Sequence, residues 1–450
     1  MILAAQLADG DVIDAEHLFF GPGGGTEAAQ ADLSGWPWLE QHLRSGKALI
    51  ALRVFVGLFF ASIVVACGLS PDTMFGWWAN LLTWGVWWPV LVVSLLVLGR
   101  VWCAVCPLAG VGELAQKLGG RGIDPPDWLK HWAPSVTLVG FVAIIWVEQV
   151  THMTEYPQHT SVFLLTLALL AVVFSWLLQR HAWCRYLCPL GAMGAVFSVA
   201  STLRVRAQRE VCGGQCVGNE CYKGSDVAQG CPMFTHALFR THGQHCKLCM
   251  ECLRSCPTGS PRLILQPPLR DIWGSDLIAA DMAPLAVVVG MMAMVMAATT
   301  ANSVTPEMAR WLFSGGSAAS VVLGLALTAF LRQRQKTSGS RDVGWVARAI
   351  YAFVPAIAAL MFAFHLRSIP WLPDMLFRFG TPSGDVVGFS LLHFGQWTGA
   401  VLGAGMTLWA LWPICRMRFE PGESVKSGGA WIALSGLALS SLTLGILWLG

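Results

Sequence analysis

Four cysteines stand close together in the run HCKLCMECLRSCPTG, which covers residues 245–259. Their spacing is C-x2-C-x2-C-x3-C, and a proline follows the last cysteine. This spacing is typical of chains that hold [4Fe–4S] clusters through cysteine thiolates, and where two clusters are bound the fourth cysteine ligates the other cluster. We therefore expect Cys246, Cys249 and Cys252 to bind one cluster and Cys256 to bind a second.

A second cluster needs three more cysteines and a Cys-Pro pair of its own. The run CGGQCVGNECYKGSDVAQGCPMF supplies them, ending in Cys231-Pro232. With the two Cys-Pro residues exchanged, two sets of ligands are predicted. Quartet A is Cys231, Cys246, Cys249 and Cys252, and quartet B is Cys212, Cys216, Cys221 and Cys256.

Zinc is the alternative metal for a set of four cysteines. Zinc ribbons usually use two separated C-x2-C pairs, whereas this chain has three ligands within seven residues and then Cys-Pro. The pattern therefore favours two [4Fe–4S] clusters. Disulfides are not expected on a reducing cytoplasmic face.

Four further cysteines lie in a repeated motif. RVWCAVCPLAG and RHAWCRYLCPLGA each follow a hydrophobic stretch and share Trp-Cys and Cys-Pro-Leu. We expect Pro107 and Pro189 to break the helices at these points. The hairpin quartet, which the motif predicts as the ligands of a third metal centre, is Cys103, Cys106, Cys184 and Cys188. Two inert pairs, a zinc site and a redox-switching dithiol are the alternatives. The isolated Cys67 and Cys415 are expected to behave as small hydrophobic residues.

The composition is that of a membrane protein. The 450 residues are 55% hydrophobic and 12% charged, whereas soluble proteins carry about 25% charged residues. The small net charge of +3 gives no indication of nucleic-acid binding. Stretches of about 18 apolar residues or more are long enough to span a bilayer. Nine spans are predicted, at residues 48–69, 81–99, 133–150, 160–179, 278–300, 311–331, 346–366, 386–413 and 429–449, with a short re-entrant or interfacial stretch at 187–203.

Basic residues alternate between successive loops, and this alternation predicts the orientation in the membrane. It places the N-terminus and the clusters on the cytoplasmic side of a bacterial inner membrane. The predicted fold is a polytopic α-helical membrane protein with an inserted ferredoxin-like two-cluster domain on the cytoplasmic side. Its parts are a polar tail (1–45), the hairpin repeat (46–203), the two-cluster domain (204–275) and a five-span membrane domain (276–450).

The motifs CAVCPL, CRYLCPLGA and CKLCMECLRSCP, each behind a hydrophobic hairpin, resemble those of the membrane-bound polyferredoxin family, the NapH-, NosR- and CcoG-like 4Fe–4S proteins. The resemblance covers about residues 48–265. It implies an inner-membrane protein whose cytoplasmic [4Fe–4S] clusters exchange electrons with quinones or with a redox partner. It does not extend to the last five predicted spans.

Within the predicted spans, histidines and buried acids are the residues to consider, since ionisable side chains inside a membrane are functional candidates. His365 and His393 are expected near the outer side of adjacent spans, where they are candidates for a redox or quinone role. Glu148, at the outer end of the third span, is a candidate proton acceptor. The chain has no C-x-x-C-H run, so no c-type haem is expected.

The leading hypothesis is a membrane iron–sulfur protein that relays electrons between the quinone pool, or a membrane or soluble redox partner, and its clusters. It would then serve as a quinol-linked subunit or accessory of a respiratory or reductase system. The alternatives are a metal-reducing or cofactor-assembly factor and a redox sensor.

Overall fold

The computed structural model describes residues 31–216, 218–240, 242–274, 280–299, 305–338, 340–367 and 401–411. Most of these residues are helical. The longer helices are α2 (Lys47–Leu69), α3 (Met74–Leu81), α4 (Trp88–Leu98), α6 (Pro107–Lys117), α7 (Asp127–Val150), α8 (Pro157–Leu177), α14 (Ala283–Thr299), α15 (Pro306–Ser338), α16 (Ser340–Tyr351), α17 (Val354–Arg367) and α18 (Val401–Leu411). The shorter ones are α1 (Pro37–Ser45), α5 (Val101–Val105), α9 (Pro189–Phe197), α10 (Arg209–Gln215), α11 (Glu220–Lys223), α12 (Glu251–Ser255) and α13 (Arg270–Gly274).

Seven helices in the described ranges are long and apolar enough to cross a membrane. They are Lys47–Leu69, Met74–Leu98, Asp127–Val150, Pro157–Leu177, Ala280–Thr299, Pro306–Thr337 and Val346–His365. The second of them joins α3 to α4 through a π-helical stretch, Leu82–Trp87. These seven correspond to the first seven predicted spans. The predicted spans 386–413 and 429–449 lie outside the described residues, apart from α18.

The stretch predicted as re-entrant is a short helix buried inside the protein. All residues of α9 except Leu190 are buried, and so are Ser198–Ala200, which follow it. It packs against α7 and α14. Irregular backbone at membrane depth is tolerated when protein surrounds it, and this packing supplies such surroundings for both ends of α9.

The two halves of the chain share one hydrophobic core. Phe141 from α7, Phe197 from α9 and Met292 from α14 belong to the same cluster of buried side chains. Further contacts join α17 to α4 and α14. The second membrane half is therefore packed directly against the cysteine hairpins.

A small antiparallel sheet supports the cysteine-rich segment. Strand β3 (Pro261–Leu265) lies between β1 (Ala31–Asp32) and β2 (Leu203–Ala207). Arg204, on β2, forms a buried ion pair with Asp271, 2.7 Å between Nη2 and Oδ2. Asp271 also accepts a 2.7 Å hydrogen bond from the backbone N–H of Gly243, just before the tight cysteine run.

The end of the predicted polar tail is part of this domain. Ala31 and Asp32 pair with Leu265 and Ile264, and Ser34 Oγ accepts a 2.7 Å hydrogen bond from the backbone N–H of Leu263. Helix α1 then packs against α12. A polar sequence thus supplies an edge strand, because backbone hydrogen bonds rather than apolar side chains hold it in place.

Candidate metal centres

The tight cysteine run is bent by two residues in the left-handed conformation. Leu248 has φ 55° and Met250 has φ 60°, on either side of Cys249. Left-handed backbone is uncommon for residues other than glycine, and here it turns the chain twice within three residues. Cys252 follows on α12, and Cys256 lies at the C-terminal end of that helix.

Quartet A comes together in the fold. Cys231, Cys246, Cys249 and Cys252 are all buried. Burial raises the pKa of the Cys252 thiol well above its usual range; the charge of Arg240 lowers this pKa, and the neighbouring charges of Cys246, Cys231 and Cys249 raise it. The long insertion before Cys231 therefore brings this residue to the cysteines of the other run.

Quartet B comes together in the same way. Burial raises the pKa of Cys221 to about 11, a backbone hydrogen bond lowers it, and the charges of Cys256, Cys212 and Cys216 raise it. Cys212 lies on α10, Cys216 directly follows that helix, and Cys221 lies on α11. Cys231 thus lies near the cysteines of the tight run, and Cys256 lies near Cys221.

In each hairpin, the proline that follows the second cysteine begins a new helix. Cys106 ends α5 and Pro107 begins α6, while Cys188 ends a π-helical turn and Pro189 begins α9. Proline suits the first helical position because its missing N–H has no partner to lose there. Burial, followed by the charges of Cys184 and Cys103, raises the pKa of Cys106 to about 12. The two hairpins therefore present their cysteines to one another.

These raised pKa values describe thiols without a metal. A bound metal ion supplies the positive charge that deprotonates a buried thiol. The described cysteines are free, and in the described ranges no three His, Cys, Asp or Glu side chains are close enough to hold a single ion. A [4Fe–4S] cluster is larger than one ion, and each thiolate binds a different iron.

Buried donors without partners lie beside the quartets and fit groups that accept hydrogen bonds. Arg100 donates from Nη1 to the backbone oxygen of Gln244 at 2.7 Å, but its Nε and Nη2 are buried without a partner. Trp183 Nε1 and Arg240 Nε are also buried without a hydrogen-bond partner. Unpaired buried donors are costly, so an accepting group such as a cluster sulfide or a ligand carbonyl suits these positions.

An apolar cavity of about 370 Å³ adjoins the hairpin quartet. All four hairpin cysteines, Arg100 and Trp183 line it, and so do Trp84, Trp88 and Phe163, which lie farther along the spans. Phe55, which is 66% exposed on α2, also lines it. The cavity therefore extends from the cysteines to the exposed surface of α2, one of the helices long enough to cross a membrane.

A hydrogen-bonded series of side chains joins the hairpin quartet to quartet A. Glu113 Oε1 lies 2.9 Å from His181 Nε2, and Lys247 Nζ lies 3.0 Å from His181 Nδ1. His181 Nδ1 is 3.8 Å from Cys184 Sγ, and Lys247 directly follows Cys246.

Burial and then Lys247 lower the pKa of His181 to about 4, so its ring is neutral at pH 7. Burial raises the pKa of Glu113, but the hydrogen bond and charge of His181 and the charges of Lys247 and Arg53 outweigh the effect of burial. The pKa of Glu113 is lowered to about 2. Neutral His181 therefore donates to the Glu113 carboxylate from Nε2 and accepts from Lys247 at Nδ1. Sequence analysis missed these residues, whose only sequence feature is that His181 and Lys247 lie near cysteines.

The two intramembrane candidates in the described part of the chain, His365 and Glu148, are both buried. His365 is buried, its Nδ1 lies 2.7 Å from the Met361 backbone oxygen, and its Nε2 has no partner. Glu148 is buried with Oε2 unpaired. Neither residue lines the cavity. His393 lies outside the described residues.

The family model described as "4Fe-4S binding domain" matches residues 80–126 and 160–207, so each match contains one hairpin motif. The chain is 31% identical over 199 residues to the "Putative electron transport protein YccM" of Escherichia coli (strain K12), which covers 38% of this chain and 52% of that protein. It is 30% identical over 188 residues to "Protein NirI" of Paracoccus denitrificans, covering 37% of this chain and 26% of NirI.

The "Methylamine utilization ferredoxin-type protein MauN" of Methylobacillus flagellatus is 32% identical over 132 residues, covering 27% of this chain and 45% of MauN. The chain thus spans about half the length of YccM and less of NirI and MauN. No solved structure matches. These matches and the cysteine motifs support the resemblance of the chain to the membrane-bound polyferredoxin family of 4Fe–4S proteins.

Proposed function

We propose that this chain is an iron–sulfur electron-transfer protein of a bacterial inner membrane, with quartets A and B as the ligands of two [4Fe–4S] clusters. The observation that supports the proposal is that the Arg240 guanidinium lies 3.3 Å from Cys246 Sγ and 3.9 Å from Cys231 Sγ, so that Cys231 lies beside the tight cysteine run. A cluster bound in such a quartet gains and loses single electrons. The protein's own contribution is to hold the thiols, exclude water from quartet A and place charged groups beside it.

The hairpin quartet is proposed as the ligand set of a third iron–sulfur centre at the membrane edge. The "4Fe-4S binding domain" model covers all four of its cysteines, which supports iron over zinc or a dithiol. The positive-inside pattern of the loops supports a cytoplasmic location for the N-terminus and the three quartets.

We further propose that the apolar cavity admits a membrane quinone, which exchanges electrons with the hairpin centre. Its aromatic walls suit a lipid-soluble ring, and Phe55 provides contact with the lipid side. The unpartnered donors of Arg100 and Trp183 suit quinone carbonyl oxygens. A redox partner, soluble or membrane-bound, completes the electron path at the cytoplasmic domain.

The test is reduction of the iron–sulfur absorbance by a quinol, followed in anaerobic detergent-purified protein. Leu164 lines the cavity, whereas its neighbour Leu165 is 54% exposed on the outer face of α8. Leu164→Trp fills the cavity and is expected to slow reduction by quinol but not by dithionite. Leu165→Trp is the matched control and is expected to change neither rate.

Failure of quinol to reduce the wild-type protein would overturn the quinone proposal. Equal behaviour of the two tryptophan variants would place the quinone elsewhere. Neither result would affect the clusters, which iron and sulfide analysis tests separately.

A further inference from the structure

Arg240 is the one arginine in the described ranges whose guanidinium donates to cysteine sulfurs of two different runs. Nη1 lies 3.3 Å from Cys246 Sγ, and Nη2 lies 3.9 Å from Cys231 Sγ. Nη2 also donates to Thr235 Oγ1 at 3.2 Å, while Nε is buried without a partner. The guanidinium therefore bridges the two parts of quartet A.

The charge of Arg240 is permanent and is not neutralised by a carboxylate. An arginine side chain stays protonated in proteins. Burial lowers the pKa of Arg240, but the charges of Cys246, Cys252, Cys231 and Cys249 outweigh it and raise that pKa. No ion pair between Arg240 and an Asp or Glu occurs among the described residues, so its charge acts on the cysteine sulfurs.

Quartet B has hydroxyl and imidazole neighbours, and no guanidinium, at the corresponding positions. Cys212 Sγ contacts Ser260 Oγ at 3.0 Å, and Cys256 Sγ contacts Thr258 Oγ1 at 3.3 Å. Cys221 Sγ lies 3.4 Å from His236 Nε2. Within the described ranges, no Lys or Arg side chain donates to a quartet B sulfur.

Reduction adds one negative charge to an iron–sulfur centre, and a nearby positive charge favours the reduced form. Hydrogen bonds to the sulfurs act in the same direction. Burial of quartet A opposes this effect, because removing a charge from water is unfavourable. Arg240 contacts the ligand sulfurs directly, where a charge acts most strongly.

Resting on the function proposed above, we infer that Arg240 raises the reduction potential of quartet A above that of quartet B. A single electron shared between the two centres then rests at quartet A. When the electron moves there, quartet B's centre is oxidised by one electron and quartet A's is reduced by one. No proton is needed, because Arg240 remains charged throughout.

The test is a redox titration of the complete, cluster-loaded protein, followed by EPR. Arg240→Gln removes the charge, whereas Arg240→Lys keeps it without the planar donor group. Arg262→Gln is the matched control, because Arg262 lies in the same domain and contacts Glu40 at 3.6 Å. Cys231→Ala identifies the signal that belongs to quartet A.

We expect Arg240→Gln to shift the electron tenfold or more towards quartet B, which corresponds to about 59 mV for one electron. Arg240→Lys should retain most of the wild-type distribution, and Arg262→Gln all of it. Should Arg240→Gln fail to retain iron, Thr235→Asp decides the question, because its carboxylate cancels the charge of Arg240 and should lower the same potential.

An unchanged reduction potential of quartet A in Arg240→Gln would overturn the inference. If Arg240→Gln does not retain iron, an unchanged potential in Thr235→Asp would overturn it instead. An equal shift of both centres would also overturn it. If the wild-type protein had no iron–sulfur signal, the proposed function itself would fail. The EPR measurement thus separates the two failures.

Discussion

The imidazole of His365 stacks on the indole of Trp88, with ring centroids 5.3 Å apart and an interplanar angle of 27°. Trp88 is part of the wall of the cavity beside the hairpin quartet. His365 lies at the end of the last membrane span in the described ranges. The second membrane half, which the family resemblance left unexplained, thus supports the cavity wall from behind.

Substitution at His365 distinguishes support from chemistry. His365→Ala removes the stacked ring and is expected to cost about 2 kcal/mol of stability or more and to slow reduction by quinol. His365→Phe keeps an aromatic ring against Trp88 and should preserve most of the stability and most of the rate of reduction by quinol. Thermal denaturation and quinol kinetics measure the two effects. Equal loss of quinol activity in both variants would favour a chemical role for the imidazole.

The exchange of Cys-Pro ligands is tested by pairs of substitutions. Cys231→Ala with Cys246→Ala removes two ligands from quartet A and should lower iron content by about four per chain. Cys231→Ala with Cys256→Ala removes one ligand from each quartet and should lower it by about eight. Iron and sulfide analysis gives the counts. If the runs kept their own Cys-Pro residues, the first pair would cost more iron than Cys246→Ala with Cys256→Ala.

The hairpin quartet makes a separate prediction about iron. Cys188→Ala is expected to remove about four irons per chain while leaving both ferredoxin-type EPR signals. Cys67→Ala is the control, because Cys67 is buried against Ile63 and Ala79 and belongs to no quartet. Iron content unchanged by Cys188→Ala would show that the hairpin cysteines hold no cluster.

The buried Arg204–Asp271 pair predicts a dependence of stability on pH. Burial raises the pKa of Asp271, but Arg204 and Gln266 outweigh it and lower that pKa below its usual range. The stabilisation is therefore complete above the ordinary aspartate pKa of about 3.9. It is lost as the pH falls through the lower pKa of the folded protein. Denaturation measured from neutral to acidic pH should show this loss.

Asp271→Asn should remove that part of the pH dependence. It leaves Arg204 buried without its counter-ion and is expected to cost about 3–5 kcal/mol. Asp127→Asn is the comparison, because Asp127 pairs with Lys130 at an exposed site and should change stability little. Equal effects of the two substitutions would contradict a special role for the buried pair.

The elements that sequence analysis predicted best are those with a strong local pattern. Seven apolar stretches became helices long enough to cross a membrane, because their length and hydrophobicity suffice to specify them. The prolines after Cys106 and Cys188 begin new helices for an equally local reason, since proline fits the first helical position.

Features that depend on distant residues were not predictable from local pattern. Ala31 and Asp32 join a sheet through backbone bonds to β3, more than two hundred residues away in sequence. Glu113, His181 and Lys247 meet only after both hairpins and the cysteine run have packed together. The cavity likewise arises from side chains of several spans, none of which is distinctive alone.

The most direct measurement is the iron and acid-labile sulfide content of anaerobically purified protein, combined with EPR after reduction. About twelve irons per chain are expected, eight in quartets A and B and four in the hairpin quartet. About eight irons would contradict the third centre alone. Zinc in place of iron, or no iron–sulfur signal on reduction, would contradict the account as a whole.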